Sequence, residues 1–288
     1  MDKLNFKKYQ GLGNDFIIID GLTTNLGQDK TIINSDNIRR LCNRKFGIGS
    51  DGLIIALPSA LYDFRMKYYN SDGSEGEMCG NGLRCLIRFI LDLKITNNIS
   101  SFNIETLAGK IAAKTVANNI EVNMGSPILE PTSIPTLLQV DSNNVPHGNI
   151  ILDNKVFDIY SAGMGNPHAV IIVDDLTTIK LNLWGPLVEN SSNFPLKTNV
   201  HFIKIHNRRK IEIVVWERGC GPTLACGTGA CASLVILSLL DKCDPQAQVL
   251  LPGGELFVSW PNKTGDIFLT GPAEYVFTGY LPYIDIYD

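Results

Sequence analysis

The chain has 288 residues, 44% of them hydrophobic and 19% charged, with a formal net charge of −4. Such a length suits two domains, each able to bury its own core. The mild acidity, with no basic cluster beyond Arg208-Arg209-Lys210, argues against a nucleic-acid partner, and no apolar run is long enough to span a bilayer.

In chain order, residues 3–9 and 15–20 read as strands on either side of a tight turn, Gly11-Leu12-Gly13. The opening Met1-Asp2-Lys3-Leu4-Asn5-Phe6 enters the first strand pattern without an apolar signal region, so a cytoplasmic protein is expected. Ser35 or Asp36 can cap a helix running to about Lys45, with Ile38 and Leu41 at helical spacing. Leu53 to Leu57 and Phe64 to Tyr69 read as strands, and Asn70-Ser71-Asp72-Gly73 as a turn. From Cys79 to about Leu93 a helix is expected, apolar on nearly all sides and therefore buried. Strands at 101–105, 110–116 and 119–123 close a first unit. The proline-bearing stretch from Ser126-Pro127 to Pro135-Thr136 reads as an extended linker or edge segment.

The second half mirrors the first. Strands are expected near 138–141, 148–152, 156–162, 168–173, 200–205 and 210–216, then a buried helix over 226–241, then strands near 247–251, 255–260 and 266–270. Gly11-Leu12-Gly13-Asn14 returns as Gly163-Met164-Gly165-Asn166, and Cys79-Gly80-Asn81-Gly82 returns as Cys226-Gly227-Thr228-Gly229. Counterparts stand about 150 residues apart in constant order, too long a period for a solenoid and suited to two similar domains. The class is α+β, with about eight strands around one apolar helix in each half. The expected domains are 1–122 plus 275–288, because the strand-like Tyr275 to Tyr283 has no place in the second unit, and 123–274.

Seven cysteines without a secretory signal favour free thiols over a disulfide framework. They form no C-x-x-C pair, and the histidines at 147, 168, 201 and 206 make no zinc pattern with them. His201 and His206, five apart in an expected strand, should face opposite ways, so no metal site is expected. Cys42, Cys85, Cys231 and Cys243 read as small core residues.

Cys79 and Cys226 differ, because each stands where a helix begins. Unpaired backbone N–H groups and the positive end of the helix dipole favour thiolate there. The N–H groups of Gly80-Asn81 and Gly227-Thr228 offer an anion site that could hold a carboxylate and stabilise charge developing beside it. Asn14, Asn70, Asn81, Asn166 and Asn199 all lie in turn contexts, where asparagine usually serves local geometry. Together with Arg218 for a carboxylate and Glu217 for an ammonium, they could read a zwitterion. His168 reads either as a structural residue at a strand start or as a group that tunes a thiol. No dinucleotide fingerprint is present and no lysine stands in a distinctive context, so no cofactor is expected. Proton transfer by the two thiols, one as base and one as acid, is then the leading chemistry. A redox protein switching through the same thiols is the alternative from another class.

The motifs Gly11-Leu12-Gly13-Asn14-Asp15-Phe16, Gly47-Ile48-Gly49-Ser50-Asp51-Gly52, Asn70-Ser71-Asp72-Gly73-Ser74, Cys79-Gly80-Asn81-Gly82-Leu83-Arg84-Cys85, Met164-Gly165-Asn166-Pro167-His168, Trp216-Glu217-Arg218-Gly219 and Ala225-Cys226-Gly227-Thr228-Gly229-Ala230-Cys231-Ala232 together resemble the diaminopimelate epimerase family. The resemblance covers essentially the whole chain. It implies two pseudo-symmetric domains, each a barrel-like mixed sheet around a central helix, usually in a homodimer. It also implies cofactor- and metal-free interconversion of LL- and meso-2,6-diaminopimelate, serving lysine and peptidoglycan synthesis. By resemblance Cys226 is the base in the LL-to-meso direction and Cys79 the acid. Gly80, Asn81, Gly227 and Thr228 would cradle the reacting carboxylate, and Asn70, Asn166, Asn199 and Arg218 would read the distal end. Asn14 and Glu217 would add substrate contacts, with His168 and Glu217 tuning the thiols. Gly52 departs from members that carry a substrate-binding glutamine there. Cys220 and Pro222 fill variable positions, and Cys220 adds a nearby thiol. A proline or hydroxyproline racemase of the same superfamily is disfavoured, since such a substrate leaves Glu217 and Arg218 without a partner.

Overall fold

In the computed structural model, which describes residues 3–24, 33–96 and 99–282, the chain divides into two units. Residues up to 122 and those from 271 onward form one, and residues 123–270 form the other. The return to the first unit thus falls at Gly271, before the strand Glu274–Pro282 begins.

Parallel pairs and the helices that join them organise the first unit. Strand Lys3–Gly11 lies antiparallel between Asn14–Asp20 (Tyr9 opposite Phe16) and Glu274–Pro282 (Phe6 opposite Gly279), with a bulge between Lys8 and Tyr9. Asn14–Asp20 runs parallel to Gly52–Leu57, a connection that needs a crossover and contains helix α1, Ser35–Cys42. Gly52–Leu57 pairs antiparallel with Phe64–Asn70. That strand runs parallel to Ser101–Thr106 across helix α2, Gly80–Asp92. A meander through Gly109–Val116 and Asn119–Asn123 follows.

Side-chain alternation divides the core between the two helices. Ile17, Ile19, Leu53 and Ile55 pack in one cluster with Ile38, Leu41 and Cys42 of α1. The alternate residue Ile54 points the other way, and its Cδ1 meets the first turn of α2 at Gly82. Gly52–Leu57 is buried throughout because both of its faces are covered.

The second unit repeats the plan. Gln139–Val140, Pro146–Leu152, Lys155–Gly163 and Pro167–Ile172 form an antiparallel series. Pro167–Ile172 is parallel to Asn199–Asn207 across helix α3, Leu181–Glu189. Asn199–Asn207 pairs antiparallel with Lys210–Glu217, which is parallel to Gln246–Leu251 across helix α4, Gly227–Leu239. Gly254–Ser259 and Phe268–Gly271 complete the series. Each unit is therefore two strand–helix–strand crossovers in the same order. The proline-bearing stretch after Gly125 belongs to this unit, with Ile128 bridging to Gly163 and a turn at 131–135.

The sequence reading omits α3, whose Gly185-Pro186 resembles a break. Its weak propensity is overridden by packing, with Trp184 and Val188 buried in a cluster with Phe194 and Phe202. Gly185 is required there, since a Cβ would stand 2.5 Å from the Trp216 indole. Cys42, Cys85, Cys231 and Cys243 are buried as expected, and none of the seven cysteines is in a disulfide. Among the described residues, no helix is long and apolar enough to cross a membrane.

Candidate active site

The sequence brackets each thiol with a preceding strand and a glycine-rich helix start, and the structure turns both into N-caps. Cys79 caps α2 with φ −140° and ψ 116°, and Cys226 caps α4 with φ −129° and ψ 106°. Both are extended residues leading into a helix whose first N–H groups have no partner within it. Gly80 and Asn81 supply those groups in the first unit, Gly227 and Thr228 in the second.

Around Cys79 the polar residues form a chain of amides and charges. The Gly82 N–H donates to Cys79 Sγ at 3.4 Å, and Sγ lies 3.9 Å from Asn14 Oδ1. Asn81 Nδ2 donates to the same oxygen at 3.1 Å, while Asn14 Nδ2 donates to Asp51 Oδ2 at 2.7 Å. Asp51 also accepts the Asp15 N–H at 3.0 Å, and Arg44 joins Asp51 and Asp15 at 2.6 and 2.7 Å. Lys8 completes the group, 2.7 Å from Asp15 and donating to the Gly49 carbonyl. Burial alone would raise the Asp15 carboxyl, but hydrogen bonds from Arg44 and Lys8 hold it down at about 2. Lys8, Arg44 and Asp51 are supporting residues that the sequence reading passed over. Asp51 stands inside the Gly47–Gly52 motif, whereas Lys8 and Arg44 carry no local signal and join it only through the fold.

Asn70 is held in place by its neighbours, donating to Ser74 Oγ at 3.0 Å and accepting from the Tyr68 hydroxyl at 2.8 Å. Tyr68 explains Gly52. A Cβ at Gly52 would stand 2.6 Å from the Tyr69 carbonyl and 2.7 Å from the Tyr68 ring. The space beside this strand is taken by an aromatic ring, so no side chain can extend from position 52. Burial pushes the Tyr68 phenol up, and the neighbouring Cys79 adds to the effect.

The second thiol is more enclosed. Cys226 is 4% exposed, with Sγ 3.5 Å from the Thr228 hydroxyl. The expectation that a helix N-terminus favours thiolate is overturned here. Burial pushes the Cys226 thiol up, the Glu217 carboxylate pushes it further, and the Thr228 hydroxyl and Gly229 amide do not offset them. Glu217 accepts from the Thr223 hydroxyl at 2.6 Å.

His168 is fully buried, as is His201, and their Nδ1 and Nε2 atoms lie 2.9 Å apart. His168 Nε2 sits 2.7 Å from Asn166 Oδ1. Burial drives both imidazoles toward the neutral form, His201 to about 3 and His168 well below its ordinary value with help from His201 and Arg218. His201 is thus a site neighbour that spacing missed. His206 behaves as expected, exposed and 2.8 Å from Glu212.

Asn199 is buried, accepting the Arg218 N–H at 3.0 Å and donating to the Pro167 carbonyl at 2.9 Å. It braces the loop that presents Arg218, whose guanidinium is exposed and donates to the Leu196 carbonyl at 3.2 Å. Glu189 of α3 braces the same loop, accepting from Trp216 Nε1 at 2.7 Å and the Gly219 N–H at 3.0 Å. The helix hidden from the sequence reading therefore anchors the Glu217-Arg218 turn. Cys220, next in that turn, is exposed.

The family described as "Diaminopimelate epimerase" matches residues 6–130 and 160–276. A diaminopimelate epimerase of Prochlorococcus marinus (strain NATL1A) is 53% identical over 96% of this chain and 98% of its own length. One from Carboxydothermus hydrogenoformans is 44% identical over the same shares. Among solved structures, a hydroxyproline epimerase from Agrobacterium vitis superposes with a TM-score of 0.68 at 14% identity, covering 98% of this chain and 91% of that one. A Bacillus anthracis phenazine biosynthesis protein of the PhzF family gives 0.66 at 17% identity, covering 98% and 100%. These two share the mixed α+β fold with its two repeated domains. With two capped thiols, their amide and imidazole surroundings and a match along nearly its whole length, the chain belongs to the diaminopimelate epimerase family and is an isomerase.

Proposed function

We propose that the enzyme interconverts LL- and meso-2,6-diaminopimelate by moving a proton at Cα between two thiols. Cys226 is the base in the LL-to-meso direction and Cys79 the acid, and the roles exchange in reverse. The observation that carries this reading is the duplicated cap: the same Cys-Gly-x-Gly turn puts a cysteine in extended conformation at the N-cap of a thirteen-residue helix in each unit.

The chemistry follows from what those groups supply. A Cα–H beside a carboxylate is a weak acid, so the reacting carboxylate needs donors aimed at its growing negative charge. The N–H groups of Gly80, Asn81, Gly227 and Thr228 are such donors, already oriented by helix geometry. At rest the Cys226 thiol is held neutral by burial and Glu217. An arriving substrate ammonium brings the positive charge that favours its thiolate. The thiolate takes the Cα proton, the cradle holds the carbanionic intermediate, and the Cys79 thiol returns a proton to the opposite face. Neutral His168 and Glu217 set the charge around Cys226. Arg218, braced by Asn199, reads the distal carboxylate, with Asn14, Asn70 and Asn166 completing recognition. No step needs a cofactor or a metal.

The product would supply lysine and peptidoglycan synthesis, in a cytoplasmic setting suited to seven cysteines outside any disulfide. We further place a homodimer contact on strand Glu274–Pro282, where Tyr275, Val276, Phe277 and Tyr280 are 42–58% exposed. Incubating the reduced protein with LL-diaminopimelate in deuterated water tests the reaction. Meso product carrying one solvent deuteron at the inverted carbon is expected. Meso product free of deuterium, or no turnover, would refute it.

A further inference from the structure

Three donors from three elements of the second unit converge beside α4. His168 comes from strand Pro167–Ile172, His201 from strand Asn199–Asn207, and Cys226 from the helix cap. One ring nitrogen of each histidine and Cys226 Sγ lie within 4.8 Å of one another, and all three residues are buried. Gly229 makes this possible, because any Cβ there would collide with the His201 ring at 2.0 Å.

The proton positions follow from the partners. Asn166 Oδ1 can only accept, so His168 Nε2 carries its proton and Nδ1 holds a lone pair. His201 Nε2 then donates to that lone pair, which leaves His201 Nδ1 as a second lone pair. That atom is buried and has no hydrogen-bond partner among the described residues. An oxygen acceptor fixing the outer nitrogen of an imidazole, with the inner nitrogen left to bind, is the usual support of a metal-ligating histidine, and the Asn166 amide oxygen fills that role here. Two imidazoles and a thiol are the donor set taken by borderline-soft divalent cations.

We propose that His168, His201 and Cys226 form a three-ligand site for a zinc-type divalent cation, whose occupation reversibly blocks the Cys226 thiol. On binding, the S–H bond breaks, a sulfur–metal bond forms and one proton leaves to solvent. His168 binds through Nδ1. His201 binds through Nε2, whose proton moves to Nδ1, so one unpartnered buried atom is exchanged for another. No electron is transferred. The bound cation and thiolate together carry one positive charge, which the nearby Glu217 carboxylate offsets. The ion is an inhibitor of the chemistry and no part of it. Binding stands apart from the proposed reaction, and only the inhibition rests on that reading.

Calorimetric titration of the reduced protein with Zn2+, and absorption titration with Co2+, test the site. One ion per chain, one proton released and a thiolate-to-cobalt charge-transfer band are expected. Cys226→Ser and His201→Gln should each abolish the band and the tight binding, while Asn166→Ala should weaken binding by about tenfold. His206→Gln, at the exposed histidine, should bind as the parent does. Zn2+ should inactivate the epimerase and a chelator should restore it. Tight binding that survives both Cys226→Ser and His201→Gln would overturn the proposal, as would the absence of saturable binding to the parent protein. Zinc binding by a protein with no epimerase activity would keep the site and remove the proposed reaction.

Discussion

The two capped thiols share a backbone and little else. Both cysteines are extended residues leading into thirteen-residue helices, and both are followed by glycine three positions on. Yet Cys79 is partly exposed among amides, with the charges of Asp51, Asp15, Arg44 and Lys8 one step behind. Cys226 is buried beside two imidazoles and a carboxylate. The duplication kept the frame that places a thiol at a helix start, while side chains distant in sequence set the charge around each one. A common backbone therefore does not imply a common thiol pKa, because desolvation and nearby charge outweigh the helix terminus at Cys226.

The strongest way to break the comparison is to remove each sulfur. If the two ends are partners in one reaction, Cys79→Ala and Cys226→Ala should each lower kcat by about 1,000-fold or more, the scale of a lost acid or base. Circular dichroism should show both variants folded. Near-parental turnover by either one would end the two-thiol mechanism.

The glycines three residues on offer a sharper contrast. A Cβ on Gly229 would stand 2.0 Å from His201 Cε1, on a rigid ring. On Gly82 its nearest neighbours would be Ile54 Cδ1 at 3.0 Å and Met66 Cε at 3.2 Å, the ends of flexible side chains, with Cys79 Cβ at an ordinary contact distance of 3.4 Å. Gly229→Ala should cost about 3 kcal/mol through overpacking, whereas Gly82→Ala should stay within about 1 kcal/mol of the parent, helped by helix propensity. Urea unfolding of both variants measures this, and equal losses would show that the imidazole is not packed where α4 begins.

A third contrast lies in what anchors the first unit. The folded Asp15 carboxyl titrates at about 2 against an ordinary 3.8, and its side chain is 17% exposed. Below 3.8 the unfolded chain takes up a proton that the folded chain refuses. The stabilisation is therefore complete above that pH and is lost as pH falls toward 2. Its size is about 2 kcal/mol. The stability gap between the parent and Asp15→Asn should hold steady near neutrality and narrow by that amount through the acid window. A gap independent of pH would show that the ion cluster does not hold this carboxylate.

Much of this organisation is legible in the residues. Alternating runs mark the strands Lys155–Gly163 and Lys210–Glu217 to within a residue or two, and the Cys-Gly-x-Gly repeats announce both central helices. Helix α3 is hidden because Gly185-Pro186 carries the local signature of a break, and only burial of Trp184 and Val188 overrides it. His201 is hidden for another reason. Strand periodicity places it opposite His206 but cannot say which helix its face meets, so its approach to Cys226 emerges only from the parallel pairing of Asn199–Asn207 with Pro167–Ile172. Asp51, Arg44 and Lys8 escape notice likewise, since their cluster spans elements whose adjacency the linear spacing does not encode.

The smallest expected effect probes the electrostatic difference most directly. Burial and then Glu217 push the Cys226 thiol up, so the fraction of thiolate near neutral pH is low. Thiolate, and not thiol, reacts with iodoacetamide. Peptide mapping by mass spectrometry should therefore find Cys79, the more exposed of the two, alkylated faster than Cys226. Glu217→Gln keeps a polar side chain beside Thr223 but removes the negative charge, so the Cys226 pKa should fall. A fall of about one unit would raise its alkylation rate roughly tenfold while leaving Cys79 unchanged. If Glu217→Gln leaves the Cys226 rate where it was, burial alone governs that thiol and the carboxylate plays no part in distinguishing the two caps. If both rates rise together, the difference between the caps lies in access to the reagent, and the charge contrast between them disappears.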